Sequence, residues 1–535
     1  MDTKEHTELG NSLRFTGIEG NPYLRTDEQG VLHVTLQRCQ ENGLPEPMRL
    51  EMTAGEIIAM AADFFTDRDW NMKLDLPSCH SFETAESFAM EASSNSLGDY
   101  LIEQPVTDKE ENALLNAYNN LASPDVSRQN IDLIYKIDSS NYIPFSATLN
   151  DYFKQLMFVL RVKDYGEMLN RNQTHFTPWS VRVYTLGHHL ALKYGHIAAE
   201  LKQLMADADY QGVSIESQTI IQTLRSQKEN LSSEYLQDLF YRYQALAYCI
   251  ELFVFHYYSD HFAAGHMSMV GDLRVLLTER FGTWGSILAN NLHNELNRVG
   301  VYTKRPYDPT PTPTEAPTSA RGDGDFNSCI NHFNKAACIA GMQCSVLDIE
   351  HVITGEKVPS QRQYGGLEHL PDVDSNYRQL QPLLVLGNDT KIYHRKHLNQ
   401  IKTLSPSDYA QLKIAPAQCG YRELKGKWDA FALVAKLRLF PYIFDGKVQP
   451  LTALELQRIE EEEKALNPER DPIPTPPCTP TQRPLEKTPN WRTPTSEQQI
   501  YEGLGKHGLL NSAANPGIKV EEKEELTQAF ITNKC

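Results

Sequence analysis

Apolar residues recur at helical spacing along most of the chain between residues 49 and 300. The clearest stretches are 152–169, 180–208 and 235–262. In each of them apolar side chains return at intervals of three and four residues, which predicts amphipathic or buried helices. The last stretch follows a Ser-Ser-Glu sequence that starts at residue 232, a pattern that typically caps the beginning of a helix. The hydrophobic pattern therefore predicts a mainly α fold class.

Outside residues 49–300 the pattern of apolar and polar residues varies from segment to segment. Apolar and polar residues alternate at 31–39, which predicts a strand, whereas 322–354 and 428–444 predict further helices. Pro and Thr dominate 305–321, and from 466 onward there are too few apolar residues for the chain to fold alone. These changes divide the chain into an N-terminal polar segment (1–48), a helical domain (49–304), a Pro/Thr linker (305–321), a smaller mixed C-terminal region packed on the helical body (322–465) and a Pro-rich disordered tail with an acidic C-terminal block (466–535).

The last strong helical stretch ends in two histidines and an aspartate. His256 and Asp260 are four residues apart, so they share one face of a helix. Gly265 can end the helix and return His266 toward that face. Two imidazoles and a carboxylate from one short segment are ligands that zinc prefers. The plainer alternative is three hydrogen-bonded core residues, but an unpartnered charge buried there would be costly. The spacing therefore favours a metal site.

Other polar residues in apolar surroundings could complete this site. The candidates are Asp63 at the end of an apolar helix, His175 before a turn, His188 or its neighbour His189 inside a helix, and His293 with Asn297 one helical turn apart. His188 and His189 point to different sides of their helix, so at most one of them is expected to be a ligand. Asp63 could equally well cap or end its helix. The Asp323/Asp325 pair further along resembles a cation loop, but it is too short for an EF-hand, and capping is the favoured interpretation.

The order of these elements resembles that of bacterial zinc-dependent phospholipases C. The matching elements are Asp63, N-x2-H-F (172–176), Y-x2-G-H (184–188), H-Y-x2-D-x5-H (256–266) and H-x-E-x-N (293–297). The resemblance covers residues 50–300, and the fourth element is shared with the wider phospholipase C and single-strand nuclease superfamily. It implies a helical catalytic domain that binds two or three Zn²⁺ ions through Asp63, His175, His188, His256, Asp260, His266, His293 and Asn297. Asp260 and Asp63 would be catalytic, Asp63 either as a ligand or as the base that orients water.

The chain also departs from this family. Founding members ligate zinc through the amine of a mature N-terminal Trp, whereas this chain begins MDTKEHTELG and has its first Trp at position 70. Founding members also carry H-x3-E in their last helix, where this chain has H-x3-N and places Glu295 two residues after His293. The resemblance is therefore to a leaderless, effector-like branch, and it leaves the number of ions at two or three.

The implied reaction is hydrolysis of glycerophospholipids to diacylglycerol and a phosphorylated headgroup. Zinc lowers the pKa of bound water to about 7, and paired ions roughly 3.5–4 Å apart can clamp a phosphodiester. The alternatives are a phosphodiesterase or nuclease of the same superfamily, or a catalytically inactive, metal-stabilised scaffold with a partner-binding tail. The net charge of −18 argues against a nucleic-acid partner. Transient contact with a membrane surface is expected of a phospholipase.

The sequence also bears on location. The first 20 residues show neither a basic segment nor an apolar core, so no signal peptide is predicted, and no transmembrane segment is predicted either. Nine cysteines without C-x2-C pairs favour a reducing compartment. The acidic block near the C-terminus resembles signals for type IV secretion machinery, although a solvated helix is the alternative. We therefore expect a protein of the bacterial cytoplasm that is secreted without a cleaved signal peptide, into a host cell.

Overall fold

A computed structural model describes residues 2–66, 101–145, 147–170, 172–177, 179–226, 232–267, 270–304 and 318–468. The predicted mainly α fold class is confirmed within this part of the chain. Most of the predicted linker (305–317) and nearly all of the predicted disordered tail (from 469) lie outside the described residues.

Helices form most of the described structure. They are α1 (Thr3–Asn11), α2 (Ala54–Phe64), α3 (Asp108–Leu121), α4 (Arg128–Ser139), α5 (Ala147–Arg161), α6 (Tyr165–Asn170), α7 (Trp179–Ala206), α8 (Ile215–Ser226), α9 (Ser233–Asp260), α10 (Val270–Phe281), α11 (Thr283–Val299), α12 (His332–Ile353), α13 (Pro406–Ile414), α14 (Lys427–Leu439), α15 (Pro441–Phe444) and α16 (Ala453–Leu466). Single 3₁₀ turns lie at Gln173–His175, Ala264–His266, Cys329–Asn331, Gln361–Gln363 and Gly365–His369.

The strands are short and form small sheets. They are β1 (Leu24–Thr26), β2 (Leu32–Cys39), β3 (Pro45–Thr53), β4 (Val301–Lys304), β5 (Thr318–Ala320), β6 (Asp372–Val373), β7 (Gln379–Leu380), β8 (Leu384–Leu386), β9 (Ile392–Arg395), β10 (Gln400–Ile401), β11 (Thr403–Leu404), β12 (Tyr421–Glu423) and β13 (Lys447–Val448). The three-stranded sheets have the orders β1-β2-β3, β5-β4-β6 and β12-β9-β8. Strand β2 occupies the segment whose alternation predicts a strand, and it lies against α9.

Helices α7 and α9 form the centre of the protein. Each has 28 residues, and α9 begins after the N-cap Ser232, whose side chain accepts a hydrogen bond from the backbone N–H of Tyr235. The two helices approach closely at Gly187, where a Cβ atom would lie 2.1 Å from a methyl carbon of Val254. Helix α12 packs against both. Within the described part of the chain, the stretch Cys329–Ile353 is long and apolar enough to cross a membrane, but 67% of its most apolar window is buried inside the protein, as in an ordinary core helix.

Two predicted helices are interrupted. The stretch 152–169 is divided between α5 and α6 because the chain turns at Asp164, which has a φ of +58°. The stretch 428–444 is divided between α14 and α15 at Pro441, because proline cannot supply the N–H that a continuing helix requires.

The C-terminal elements share a core with the helical body. Side chains of α10, α11, β8, β9 and α14 form one hydrophobic cluster. A buried ion pair reinforces this junction, because Arg395 on β9 donates two hydrogen bonds to Glu295 on α11, of 2.7 and 2.9 Å. Glu295 is therefore engaged in a structural pair, and it does not replace the glutamate that founding phospholipases C carry two residues later.

Candidate metal centre

Five histidines and three carboxylates converge where α1, α2, α9 and α11 meet. They form three groups, each with three potential ligand atoms within 4.8 Å of one another: His6, His256 and Asp260; Asp63, His175 and His256; and His266, His293 and Asp323. The first two groups share His256. His266 Nδ1 lies 3.4 Å from Asp260 Oδ2, which connects the third group to the first. The arrangement can therefore hold metal ions, and one that binds His256 Nε2 can belong to either of the first two groups.

Local structure explains how the central ligands are presented. His256 and Asp260 lie one turn apart in the last turns of α9, and the His256 Nε2 atom is 3.4 Å from Asp260 Oδ2. Helix α2 has non-helical backbone at Ala61 and Ala62, so it is kinked directly before Asp63. The two oxygens of Asp63 lie 3.9 Å from His175 Nε2 and 3.6 Å from His256 Nε2.

Hydrogen bonds on the far side of the rings fix the orientation of the imidazoles. His256 Nδ1 donates to the carbonyl oxygen of Ile58 at 2.9 Å, and His266 Nδ1 donates to the carbonyl oxygen of His175 at 3.0 Å. Because Nδ1 carries the proton in each case, Nε2 offers a lone pair. Metal-binding histidines are usually held in this way by an outer hydrogen bond.

His6 follows the same arrangement. Its Nδ1 lies 3.0 Å from Ser259 Oγ, and Ser259 Oγ donates its own proton to the carbonyl oxygen of Phe255. The serine therefore accepts from His6 Nδ1, and His6 Nε2 faces Asp260 Oδ1 at 3.4 Å. The rings of His6 and His256 stack with their centroids 4.2 Å apart.

The buried nitrogens of this site fit a metal better than an ordinary core. Within the described residues, His6 Nε2 and His256 Nε2 are buried and have no hydrogen-bond partner. Buried polar atoms are nearly always hydrogen-bonded in native proteins. Two unsatisfied lone pairs directed at the same buried carboxylate are explained if a cation lies between them.

Charges around the site also suit a cation. Burial, with a smaller contribution from His6, lowers the pKa of His256 well below its usual value, and burial does the same for His266. Burial works to raise the pKa of Asp260, but His266, His256 and the hydrogen bond from His175 outweigh it and hold that pKa well below the usual range. Neutral imidazoles around an ionised carboxylate are the protonation states that metal binding requires.

Two carboxylates of the centre are accessible to solvent. The side chains of Asp63 and Asp323 are 29% and 30% exposed, whereas those of His6, His256 and Asp260 are 1% exposed. Asp63 and Asp323 are therefore the carboxylates at which solvent reaches the centre.

A buried arginine lies beside the centre. The Arg274 guanidinium stacks 5.4 Å from the ring centroid of Phe176, and that ring packs against His266. Burial lowers the pKa of Arg274 to about 10, while the charge of Asp63 works to raise it, so the group stays cationic at neutral pH. Arg274 forms no ion pair with any residue that the structure describes. A nearly buried cation of this kind is suited to an anionic ligand.

Asn297 contacts the segments that carry the third group. Its Oδ1 accepts a hydrogen bond from the backbone N–H of Gly265, and its Nδ2 lies 3.3 Å from His293 Nε2. A Cβ atom on Gly265 would lie 2.7 Å from the Asn297 amide, and one on Gly322 would lie 2.1 Å from its oxygen. Because neither glycine has a side chain, both loops can pack directly against the Asn297 amide. In this arrangement Asp323 Oδ2 lies 3.4 Å from His293 Nε2.

His188 lies apart from the three groups. Its Nδ1 bonds Glu251 Oε2 at 2.9 Å, and its Nε2 lies 3.3 Å from Asp348 Oδ2. Burial opposes its protonation, but Glu251 and Asp348 outweigh this and raise the pKa of His188 to about 9. His188 is thus a buried imidazolium that joins α7 to α9 and α12. Its neighbour His189 contacts Tyr364 and Glu111.

The other candidates from the sequence come together. The structure gathers Asp63, His175, His256, Asp260, His266 and His293, with Asn297 beside them. Sequence reasoning missed His6 and took Asp323 for a capping residue. No motif marks His6, because it comes from a separate helix about 250 residues from its partners. The Gly-Asp-Gly-Asp sequence at 322–325 is the one local signal for Asp323.

Comparison of the chain with models of known protein families, with curated proteins and with solved structures finds no match. Its function is therefore argued from the chemistry of this centre.

Proposed function

We propose that the protein is a zinc-dependent phospholipase C, which hydrolyses glycerophospholipids to diacylglycerol and a phosphorylated headgroup. The observation that carries the proposal is the convergence of three ligand groups around His256 and Asp260, with Asp63 and Asp323 accessible to solvent. The resemblance in the order of motifs to zinc phospholipases C supports the same reaction.

The ligand set favours zinc. Five imidazoles and three carboxylates suit Zn²⁺, whereas Mg²⁺ prefers oxygen ligands and retains several waters. When bound, zinc supplies a Lewis acid that polarises a phosphodiester and makes water nucleophilic near neutral pH.

The chain's own groups define the remaining roles. Asp260, buried among His6, His175, His256 and His266, would bind and space the cations. Asp63 is accessible to solvent, so it would orient the attacking water and accept its proton if it is not itself a ligand. The oxygen of this water would bond to phosphorus while the P–O bond to diacylglycerol breaks. The proton that the water has lost would pass to the departing oxygen of diacylglycerol.

Arg274 supports a phosphodiester as the substrate. Its guanidinium is nearly buried beside Phe176 and His266. An arginine in such a place can donate two parallel hydrogen bonds to phosphate oxygens. It would hold the phosphoryl group and balance the charge that develops on it.

The test is hydrolysis of mixed phospholipid vesicles by the purified full chain, with products identified by mass spectrometry. We expect diacylglycerol to appear, a chelator to abolish it, and zinc to restore it better than magnesium. Full activity in thoroughly demetallated protein would overturn the metal mechanism. Bound zinc without diacylglycerol would overturn the lipid substrate, and the same preparation would then be assayed on single-stranded nucleic acid.

A further inference from the structure

Two neighbouring segments expose an unusual amount of apolar surface. Of the nineteen large hydrophobic side chains exposed in the described part of the chain, six lie at 142–160 and six at 428–443. Phe145 is 77% exposed, Trp428 83% and Tyr442 73%. Exposed apolar residues are ordinary when scattered, but a contiguous group usually marks a contact surface. We call the exposed apolar side chains of these two segments the apolar face.

The helical pattern shows that these side chains form stripes. On α14, Trp428, Phe431 and Leu439 follow one another at i, i+3 and i+11, so they share one face of the helix. The opposite face of α14, with Leu433 and Val434, is buried against the body. Helix α14 therefore has apolar side chains on two sides, and only one of these sides is covered by the body.

Helix α5 has the same construction. Phe153, Leu156 and Leu160 are spaced at i, i+3 and i+7 on its exposed face. Its inner side packs through Phe158 against Phe64, the residue after Asp63. The exposed stripe therefore belongs to a helix that borders the candidate metal centre.

The two stripes lie on elements that touch. The Arg438 guanidinium of α14 stacks 3.8 Å from the ring centroid of Tyr152 on α5. Both side chains also contact the amide oxygen of Asn291, which is two residues before His293. The junction of the two segments is therefore held by α11, the helix that also carries His293.

The charge around the apolar face differs from that of the whole chain. Residues 425–447 contain five basic and two acidic residues, a net charge of +3, in a chain with a net charge of −18. Lys425, Lys427, Lys436 and Lys447 are exposed. Exposed aromatic and aliphatic side chains with lysines beside them are the composition that binds an anionic lipid surface.

We propose that the apolar face docks the protein on the surface of an anionic phospholipid membrane and so presents lipid headgroups to the metal centre. The choice of a lipid surface as the partner rests on the proposed phospholipase function. It adds to that function the surface that binds the membrane and a preference for anionic lipids.

The experiment separates docking from hydrolysis. Sedimentation with vesicles of phosphatidylglycerol and phosphatidylcholine, in the presence of chelator, measures docking without turnover. We compare the wild-type full chain with Leu156→Ser/Leu160→Ser and with Trp428→Ser/Leu439→Ser. The matched control is Val213→Ser/Ile215→Ser, because these residues are 76% and 79% exposed at the start of α8 and outside the apolar face.

The wild type and the control should bind, and each double variant should bind about tenfold more weakly, since apolar insertion and lysine attraction both contribute to such binding. Binding should weaken in pure phosphatidylcholine and at high salt. Equal binding by all four proteins would overturn the proposal. Self-association that only the apolar-face variants abolish, without vesicle binding, would assign the face to a second copy of the chain and would also overturn it.

A monomeric short-chain phospholipid distinguishes a failure of docking from a failure of the proposed reaction. If the wild type hydrolyses the monomer but does not bind vesicles, the docking proposal fails alone. If it binds vesicles through the apolar face but hydrolyses neither form, the phospholipase proposal fails and the docking surface stands. For the apolar-face variants, the ratio of vesicle to monomer turnover should fall about tenfold.

Discussion

Individual imidazoles in this protein have distinct environments that sequence spacing does not separate. His256 and His188 both lie in apolar helices, and both are fully buried. His256 donates through Nδ1 to a backbone carbonyl and directs Nε2 at Asp260 and Asp63. His188 has a carboxylate within 3.3 Å of each nitrogen, and these two carboxylates raise the pKa of His188 to about 9 against the effect of burial. The first environment suits a metal ligand and the second suits a structural ion pair.

This contrast gives a matched pair of substitutions. His256→Gln should remove a ligand from two of the three groups, lower the zinc content measured by elemental analysis, and reduce activity by at least about 100-fold, because loss of even an outer hydrogen-bond partner costs about 10–100-fold. His188→Gln should leave the zinc content unchanged. Equal zinc loss in both variants would contradict the assignment.

His6 supplies a second prediction at this scale. His6→Gln should lower both zinc content and activity, since its Nε2 lies 3.4 Å from Asp260 Oδ1 in the first ligand group. The control is His189→Gln, because His189 lies outside the three groups. Zinc titration of the two demetallated variants provides the measurement, and unchanged zinc stoichiometry in His6→Gln would remove His6 from the site.

Arg274 makes a third prediction because it would act on the substrate and not on the metal. Arg274→Lys keeps the charge but loses the paired donors, and Arg274→Gln loses the charge as well. Turnover should fall in the order wild type, Lys, Gln, by a total of about 100-fold or more, as for other groups that stabilise developing charge. Zinc content should stay at the wild-type level. A parallel fall in zinc content would show that Arg274 supports the site structurally.

Local spacing could reveal most of the residues recovered from the sequence, whereas Asp63 and His175 stood out as polar residues beside apolar helices. His256, Asp260 and His266 fall within eleven positions, and His293 with Asn297 spans one helical turn. His6 could not be found in this way, because the packing of α1 on α2 brings it to the site, and that contact is long-range. A Cβ atom on Gly55 would lie 2.1 Å from the Thr7 carbonyl oxygen, so α1 approaches closely where glycine permits it.

At the scale of elements, helical periodicity predicts the long helices well. Stretches 180–208 and 235–262 correspond to α7 and α9 within a few residues. The same periodicity continues through Asp164 and Pro441, where the chain turns. Periodicity indicates which face of a helix is apolar, but it does not indicate where a change in the backbone dihedral angles ends the helix.

The contact between α7 and α9 can be tested through His188 and Glu251. Loss of His188 would leave the Glu251 carboxyl without its partner in the core, where burial already raises the pKa of Glu251, so His188→Leu should lower the free energy of unfolding by about 3–5 kcal/mol. The double variant His188→Leu/Glu251→Leu should recover part of the loss, because no buried charge remains. Denaturant unfolding of the zinc-loaded proteins measures both values. A double variant as unstable as the single one would contradict this account.

The same pair implies a pH dependence. The pKa of His188 is raised from its usual value to about 9 in the folded protein. The stabilisation from its protonation is complete below the unfolded value of about 6.5 and is lost as the pH rises through about 9. The stability difference between wild type and His188→Leu should therefore shrink between pH 7 and pH 9.5, as measured by unfolding at each pH. A difference that stays constant or grows would mean that His188 is neutral in the folded state.

For the whole molecule, the metal centre joins segments that are far apart in sequence. Helix α1 contributes His6, α2 contributes Asp63, α9 contributes His256 and Asp260, and the loop before α12 contributes Asp323. Bound ions would stabilise this arrangement by linkage, since they bind the folded chain and not the unfolded one. Each occupied site would add about 2.7 kcal/mol to the free energy of unfolding when the free metal concentration exceeds Kd by 100-fold.

Removal of metal should therefore act on particular segments. Without cations, the charge of Asp260 and the unpartnered nitrogens of His6 and His256 destabilise the junction, and α1 is the shortest of the α-helices that carry a ligand. Chelation should lower Tm and increase amide hydrogen exchange in α1 and at 321–328, while α13 and α16, which are outside the site, should change little. Zinc should restore protection in His188→Gln but not in His256→Gln. Loss of protection spread evenly over all helices would mean that metal stabilises the fold globally, and unchanged protection in α1 would exclude His6 from the metal centre.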